Sequence, residues 1–432
     1  MAEQRESRRA DWIGVREAVE RILAAAAPLG TERVALADAA GRTLAEDVRS
    51  TVDHPPWDNS AMDGYAVRAA DVRGATPDVP ALLEVVESVP AGRFPTRAVG
   101  PGQAIRVMTG APVPEGADSV VRLEYTEPRP GVPEWIAVLG DADAGRNIRR
   151  RGEDLRAGTV VLEAGKVLRP GEIGVLAAVG RAEVEVARKP AVGILSTGDE
   201  LAGLDAFEEV QAGRRIADSN SHALAAAVAL AGGEPVRLGI ARDDEASLRE
   251  HLAPAAMLDV LVTTAGVSVG EHDMVRDVLE RLGLELDFWR VRMRPGSPAS
   301  FGRLGRTLVF GLPGNPVSAL VTFEVLVRPA LRRLGGRRDV HSRTVRVRVA
   351  EPISSRGRLT HFLRVRLERD GAGGYVARLT GPQGSGILSS MARADALLIV
   401  PEDVDHVEAG EELEAIPLLP ADAGQEESGL PE

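Results

Sequence analysis

Three short apolar runs, Val192–Leu195, Val260–Thr263 and Leu308–Phe310, each stop at a loop of small, polar and acidic residues. The loops are Ser196–Glu200, Thr264–Asp273 and Gly311–Ser318, and the last two pass at once into helical patterns. Short runs that are apolar at every position suit strands buried on both faces, as in a parallel sheet. The alternation extends over the whole stretch from Lys189 to about Leu334. Strands are expected at 192–195, 235–240, 259–263 and 285–291, and helices at 219–231, 245–253 and 271–282. A hairpin around Gly305 and a last helix from Pro316 complete it. Strands alternating with helices predict a mostly parallel sheet covered by helices. Ligands of such sheets gather outside the carboxyl ends of the strands. The three loops therefore predict one shared pocket of carboxylates and helix N-termini, suited to a phosphate-bearing ligand and a divalent metal.

The chain of 432 residues is too long for one core. Before the sheet segment, a helix is expected over 12–27, followed by short connecting elements at 34–36 and 43–48. Strand-like runs separated by Pro and Gly come next, at 82–89, 104–108, 119–123 and 135–138. Helical residues return at Arg169–Ala178, with Pro170 in the first turn. This order predicts a discontinuous linker and dimerisation domain (8–50 and 148–188) interrupted by a β-rich module (51–147). The α/β domain then covers 189–335. After Gly335-Gly336, the strict alternation of Thr344–Ala350 opens a small β-barrel or sandwich expected over 340–420. The acidic segment 421–432 reads as a disordered tail.

A net charge of −12 argues against nonspecific binding to nucleic acid or to an anionic membrane. No apolar run is long enough to cross a bilayer, and the charged N-terminus carries no signal-peptide pattern. The absence of cysteine rules out disulfides and thiolate metal sites and fits the reducing cytoplasm. Lys166 and Lys189 are the only lysines, so positive charge is almost all arginine. Aromatics make up 3% of the chain, which leaves its cores to Val, Leu, Ile and Ala.

Each candidate site has a functional and a plain reading. In Gly311–Ser318, Asn315 can cap a helix and Pro316 fits its first turn, while the glycines admit a close anion; a well-capped structural turn explains the same residues. Gly266-Val-Ser268-Val-Gly270 matches the nucleophile elbow of serine hydrolases. The downstream histidines, His341, His361 and His406, all fall outside the sheet domain, so Ser268 reads better as a cap or phosphate contact. Glu200, Asp243 and Asp273 each follow a strand of the same sheet. They could offer a hard cation one or two carboxylates beside substrate phosphates, or simply favour helix N-termini. Asp58–Ala66 and Met108–Gly116 read as ordered polar loops. Arg290, Arg292 and Arg294 are expected along one strand, which period two would place on one face. The run Arg149–Arg151 reads as surface.

Five strings together resemble the molybdopterin molybdenumtransferases, the MoeA proteins related to the gephyrin E domain. They are DNSAMDGYAV from Asp58, MTGAPVPEGAD from Met108, STGDEL from Ser196, GVSVGEHD from Gly266 and GLPGNPVSA from Gly311. The resemblance implies an elongated cytoplasmic homodimer acting late in molybdenum cofactor synthesis. It would insert molybdate into the dithiolene of adenylylated molybdopterin with Mg²⁺ and release AMP. A molybdopterin adenylyltransferase would be the partner supplying that substrate. The resemblance assigns Glu200, Asp243 and Asp273 to the metal and the adenylate end, completed by Asp58, Asp63 and Thr109 from the inserted module, which reaches the partner's sheet domain. It assigns Ser196, Thr197, Gly198, Gly266, Ser268, Gly314, Asn315 and Ser318 to the phosphate and pterin groups. Arg290, Arg294, Ser297, Arg364 and Ser385 fall at molybdate-binding positions. Arg290, Arg294 and Ser297 stand where lysines are common in the family; Ser297 removes a charge, which bears on the choice between molybdate and tungstate. A dimeric scaffold without activity and a tungstate-preferring enzyme are the alternatives.

Overall fold

The computed structural model describes residues 12–264, 274–355, 358–370 and 373–418. The chain opens with α1 (Val15–Ala25) and β1 (Thr31–Ala35). The module that follows contains β2 (Gly64–Val67), β3 (Ala81–Val89), β4 (Gln103–Val107), β5 (Ser119–Arg122), β6 (Thr126–Pro128) and β7 (Trp135–Val138). These form one six-stranded sheet in the order β5-β2-β4-β3-β7-β6. The module buries its own apolar residues on both faces, with Val67, Leu83 and Val121 in one cluster and Ile105, Val107 and Val120 in another. The sheet thus has apolar clusters of its own.

After the module come α2 (Pro170–Ala178) and β8 (Glu183–Ala187), and β8 pairs antiparallel with β1 from the other side of the insertion. Val48–Arg49 pairs likewise with Val160–Leu162. Leu44, Val48, Leu168, Leu176 and Val186 fill one small core drawn from both flanking segments. The N-terminus of α2 is fixed by Glu172. Its carboxylate accepts the Arg169 backbone N–H at 3.0 Å, the Arg169 guanidinium at 2.9 Å and the Lys166 ammonium at 3.2 Å.

The sheet domain follows with β9 (Ala191–Thr197), α3 (Ser219–Leu230), β10 (Glu234–Ala241), α4 (Glu245–Leu252), β11 (Val260–Thr264), α5 (Met274–Arg281) and β12 (Leu284–Trp289). Then come β13 (Ser300–Leu304), β14 (Thr307–Leu312) and α6 (Pro316–Thr322), which runs through a π turn into α7 (Arg328–Leu334). The strand order is β10-β9-β11-β14-β13-β12. The first four strands are parallel, and β13 and β12 complete the sheet antiparallel. The expected α/β alternation and mostly parallel sheet are present.

The C-terminal region holds β15 (Val345–Val349), β16 (Thr360–Arg369), β17 (Tyr375–Leu379), α8 (Leu388–Ala392), β18 (Ala396–Val400) and β19 (Glu412–Pro417). The ladder β16-β17-β15-β19-β18 returns to β16 and closes a five-stranded barrel around Val347, Val365 and Leu398. Of the barrel and sandwich that the strand pattern allows, the chain forms the barrel. The central core joins Ile22 of α1, the sheet strands, α6 and α7, and Phe362, Leu397 and Ile416 of the barrel. Sheet and barrel therefore share apolar packing, whereas the inserted module does not contribute to that cluster. The expected tail 421–432 and the first residues of helix 271–282 lie outside the described residues.

Two expectations about strands fail. The stretch Asp58–Ala66, read as a polar loop, runs into β2, whose four residues are all buried between β4 and β5, because Tyr65, Ala66 and Val67 supply an apolar run that the polar start of the segment masks. Arg290, Arg292 and Arg294 do not lie on one strand: β12 ends at Trp289, and Arg290 takes a left-handed backbone with φ 115°. Met293–Arg294 instead pairs parallel with β16 of the barrel. The turn gives the three side chains different surroundings, so the period-two pattern had no continuous strand to act on.

Hydrogen bonds from the Arg169 guanidinium, which contributes most, from Lys166 and from backbone N–H groups pull the Glu172 carboxyl down to about 2 from an ordinary 4.5, against the upward push of burial. A depressed folded pKa stabilises the fold above the unfolded value and loses that stabilisation as pH falls. Glu172→Gln is therefore expected to lower the urea midpoint at pH 7. The gap to wild type should close as pH falls from about 4.5 to about 2. A gap independent of pH across that window would show that the ionised carboxylate does not hold α2.

Candidate active site

The parallel registers place Thr197 opposite Ala241, Ser196 opposite Thr264, and Thr264 opposite Leu312. The loops after β9, β10, β11 and β14 consequently emerge along one rim. Beneath the rim, small polar side chains lock the strand ends together. The buried Ser196 hydroxyl donates to Asp218 at 2.9 Å and receives the Thr264 hydroxyl at 3.2 Å, while Thr197 Oγ1 donates to the Thr264 carbonyl at 3.3 Å. Asp218 also caps α3 by accepting the Ser221 N–H at 3.1 Å. Ser196 and Thr197 thus spend their hydroxyls inside the fold, and the loop's outward chemistry passes to Asp199 and Glu200.

Gly198 has φ 141° and shows why a glycine stands there. A Cβ at this position would sit 2.5 Å from Glu200 Oε2 and 2.7 Å from Oε1. The Glu200 carboxylate therefore folds back over the bare Cα of Gly198. On the neighbouring strand end, the Asp243 N–H donates to Asp199 Oδ1 at 3.4 Å. The N-terminus of α4 is capped by Asp244, which accepts the Ser247 N–H at 2.8 Å. Capping therefore accounts for Asp244 and leaves the exposed Asp243 for another role. Beside these acids opens a cavity of about 910 Å³ whose polar lining includes Asp199, Arg215, Asp218, His222, Arg237 and Arg242. Arg237 lies 2.8 Å from His222 Nε2.

Two exposed carboxylates on adjacent strand ends are oxygen donors of the kind Mg²⁺ takes together with substrate phosphates. Among the described residues no group of three or more His, Asp or Glu could hold a metal ion. Asp273, with Gly266 and Ser268, lies outside the described residues. The residues present therefore fit a hard cation that needs further oxygens from a ligand.

The other end of the rim is joined to the barrel. The Val317 N–H at the start of α6 donates to the Ser385 carbonyl at 3.1 Å, and Asn220 Nδ2 on α3 donates to the Gly314 carbonyl at 2.8 Å. Asn315 occupies the N-cap position of α6, but its side chain makes no capping hydrogen bond, contrary to the expectation. Pro316 lacks an N–H, as the first turn allows. Ser318 is buried. The same barrel loop covers Arg364, a fully buried residue of β16. Its guanidinium donates to Ser390 Oγ at 3.2 Å and to the Gly384 carbonyl at 3.1 Å, while Nη1 has no hydrogen-bond partner among the described residues. Burial pushes its pKa down. Arg294, exposed, pairs in register with His361 on the same strand β16. Arg290 lies over the rings of Trp12 and Trp289, 5.5 and 5.4 Å from their centroids. The Ser297 hydroxyl donates to the Met293 carbonyl.

Asp58, Asp63 and Thr109 form a third group, on the inserted module. Asp63 accepts both the N–H and the hydroxyl of Thr109, at 2.7 and 2.8 Å. Asp58 accepts the Arg151 N–H at 2.8 Å and pairs with Arg150 at 2.6 Å. These contacts hold both carboxyls below the usual range, led by the Arg151 N–H for Asp58 and the Thr109 N–H for Asp63. The arginine run read as surface is exposed, yet it organises Asp58. Within one chain, the hydrogen bonds and ion pairs of these side chains stay between residues 58 and 151. The fold brings Glu200, Asp243 and Asp199 together, and Arg364 and the Ser385 loop together. Arg294 lies level with His361, further along β16, and the module's acids form a separate set.

Asp199, Asp218 and Arg242 were missed by sequence reasoning. Asp218 carried a readable signal, an Asp immediately before the predicted helix at 219. Arg242 carried none, because arginine is this chain's general cation.

The description "MoeA N-terminal region (domain I and II)" matches residues 13–180, "Probable molybdopterin binding domain" matches 193–333, and "MoeA C-terminal region (domain IV)" matches 346–418. The chain is 42% identical over 388 residues to molybdopterin molybdenumtransferase 2 of Mycobacterium tuberculosis, covering 88% of this chain and 93% of that protein. It is 39% identical over 388 residues to the molybdopterin molybdenumtransferase of a Nostoc species, covering 89% and 88%. The crystal structure of the molybdopterin biosynthesis MoeA protein of Pyrococcus horikoshii superposes with a TM-score of 0.80 at 34% identity. That match covers 94% of this chain and all of the other.

Gly198→Ala is expected to push the Glu200 carboxylate off its seat and to cost about 1–3 kcal/mol of backbone strain. Turnover should fall by at least about tenfold if carboxylate placement matters, with the chain still folded by circular dichroism. Wild-type turnover in this variant would show that the seat of Glu200 is not used.

Proposed function

The chain belongs to the MoeA family, the molybdopterin molybdenumtransferases, and we propose that it inserts molybdate into the dithiolene of adenylylated molybdopterin with release of AMP. The observation that carries this reading is the rim itself: two exposed carboxylates, one of them over a glycine seat, beside a large arginine-lined cavity, in a chain matched over residues 13–180, 193–333 and 346–418. The cavity is large enough for a nucleotide-sized group, and Arg215, Arg237 and Arg242 offer charge to its phosphates.

Glu200 and Asp243, with Asp273, would hold Mg²⁺ against the pyrophosphate link. When bound, the ion neutralises charge that develops as the link breaks. Asp199 steadies the backbone of Asp243, and Ser196 and Thr197 hold the loop from below. Gly314, Asn315 and Ser318 stand at the start of α6, where backbone N–H groups favour an anion. At the barrel, Arg294, Arg364 and Ser385 suit a tetrahedral dianion, since a buried guanidinium with a spare donor gains most from a charged acceptor. Arg290 is held by stacking, and Ser297 by the Met293 carbonyl, so both shape this site through the backbone. Asp58, Asp63 and Thr109 are proposed to complete the site across a homodimer, where the module of one subunit meets the sheet of the other. A molybdopterin adenylyltransferase would supply the substrate in the cytoplasm.

The test is AMP release from adenylylated molybdopterin with and without Mg²⁺ and molybdate. Release that requires both is expected. Binding without release would point to a scaffold, and no binding would overturn the assignment. Arg294→Ala is expected to raise the molybdate concentration for half-maximal release about tenfold, near the value of one charge-assisted hydrogen bond, with nucleotide binding little changed. An unchanged molybdate dependence would remove Arg294 from the oxyanion site.

A further inference from the structure

A second, much smaller cavity, of about 20 Å³, lies far along the fold from the rim, where the linker region meets the sheet domain. It is lined by the loop Gly41–Thr43, by Ala187–Lys189 between β8 and β9, and by the C-terminal ends of α3 and α7. Five cations line it, Arg42, Arg188, Lys189, Arg332 and Arg337, and no acidic side chain does. Two of them are neutralised elsewhere. Arg42 pairs with Glu32, and Arg188 grips Asp259 through two contacts of 2.7 and 2.9 Å.

Arg332 and Arg337 are different. Nε of Arg332 is buried with no hydrogen-bond partner among the described residues. Its Nη1 reaches the Val340 carbonyl and Ser342 Oγ only at 3.4 Å. The Arg337 guanidinium lies over Gly232, whose added Cβ would be 3.8 Å from Nη2. No salt bridge is made by either arginine among the described residues. Asp339 acts on both and Glu324 on Arg332, but Glu324 is already held by Arg328 at 2.6 Å. Burial depresses both arginines, and for Arg332 the charges of Arg328 and Arg337 add to it.

The negative ends of α3 and α7 explain why cations gather here. They do not satisfy the buried donor of Arg332, and buried polar groups without partners are rare in folded proteins. Two half-buried like charges side by side also favour a counter-charge between them. We propose that this cavity is an anion site, which takes one small inorganic anion of chloride size between Arg332 and Arg337. The size follows from the volume: a cavity of about 10–15 Å³ already holds one water, and this one is of that order. A tetrahedral oxyanion would require the two guanidinium groups to draw apart. The bound anion ties the linker region to the sheet domain at the point where β8 leads into β9.

The test uses the full-length protein in thermal unfolding at constant ionic strength, with gluconate replaced stepwise by chloride. The midpoint is expected to rise and saturate, by on the order of 3 °C, and the rise should vanish in Arg337→Gln. Crystals of the wild type soaked in bromide should carry an anomalous peak between the two guanidinium groups, which needs no variant to fold. A midpoint indifferent to the anion, or a rise that is equal in Arg337→Gln, overturns the proposal. So does a bromide-soaked crystal with no peak in the cavity, and so does a response to phosphate without any to chloride.

Discussion

The site depends on one constraint, the parallel register of β9 between β10 and β11. Asp259 sets it from below. Its carboxylate accepts the Ala191 N–H at 2.8 Å and pairs with Arg188, while its carbonyl accepts the Leu308 N–H at 3.0 Å. The residue thereby pins the entry of β9, β11 and β14 at the edge opposite the active rim. With their starts aligned, the strands deliver Thr197, Ala241, Thr264 and Leu312 to within one residue of the same level. A slip of one residue would turn each buried side chain to the other face. The packing enforces this closely. A Cβ on Gly193 of β9 would come 2.4 Å from Leu258 Cδ1.

Charge is handled differently in the three parts of the candidate machinery. At the rim, Glu200 and Asp243 are exposed and available to a cation. At the barrel, Arg364 is buried and keeps one donor spare. On the module, Asp58 and Asp63 are already engaged by Arg150, Arg151 and Thr109, which keeps them ionised and fixes their direction. Acids that accept backbone N–H groups are oriented without side-chain ordering having to be spent again on ligand binding. The arginine-for-lysine bias suits this economy. A planar fork can serve a ligand on one edge while another edge is tied to the protein, as in Arg364.

Much of this was legible before the fold was known, because period and punctuation are local. The apolar runs at 192–195, 260–263 and 308–310 had no polar face to present, so only a sheet buried on both sides could hold them. The glycines and prolines of the inserted stretch marked four of its six strands to within a few residues, while β2 stayed hidden inside a segment whose polar start read as loop. The three arginines at 290, 292 and 294 misled for a physical reason. Alternation reports a face only while a strand continues, and Arg290 turns the chain at φ 115°. Asn315 misled in another way: it occupies the capping position without making the capping bond.

Residue types, strand and helix periods and the loop strings were determined by the sequence alone, because each depends on neighbours a few positions apart. That acids and glycines would end up on one rim also followed, since parallel strands share a carboxyl edge. Which acids remain free was decided by tertiary structure. Asp218 and Asp244 are consumed as caps, Asp199 turns to Asp243, and Glu200 rests over Gly198. The meeting of Val317 with Ser385 above Arg364 was likewise beyond the sequence. It joins segments separated by about seventy residues, through backbone groups that every residue type carries alike.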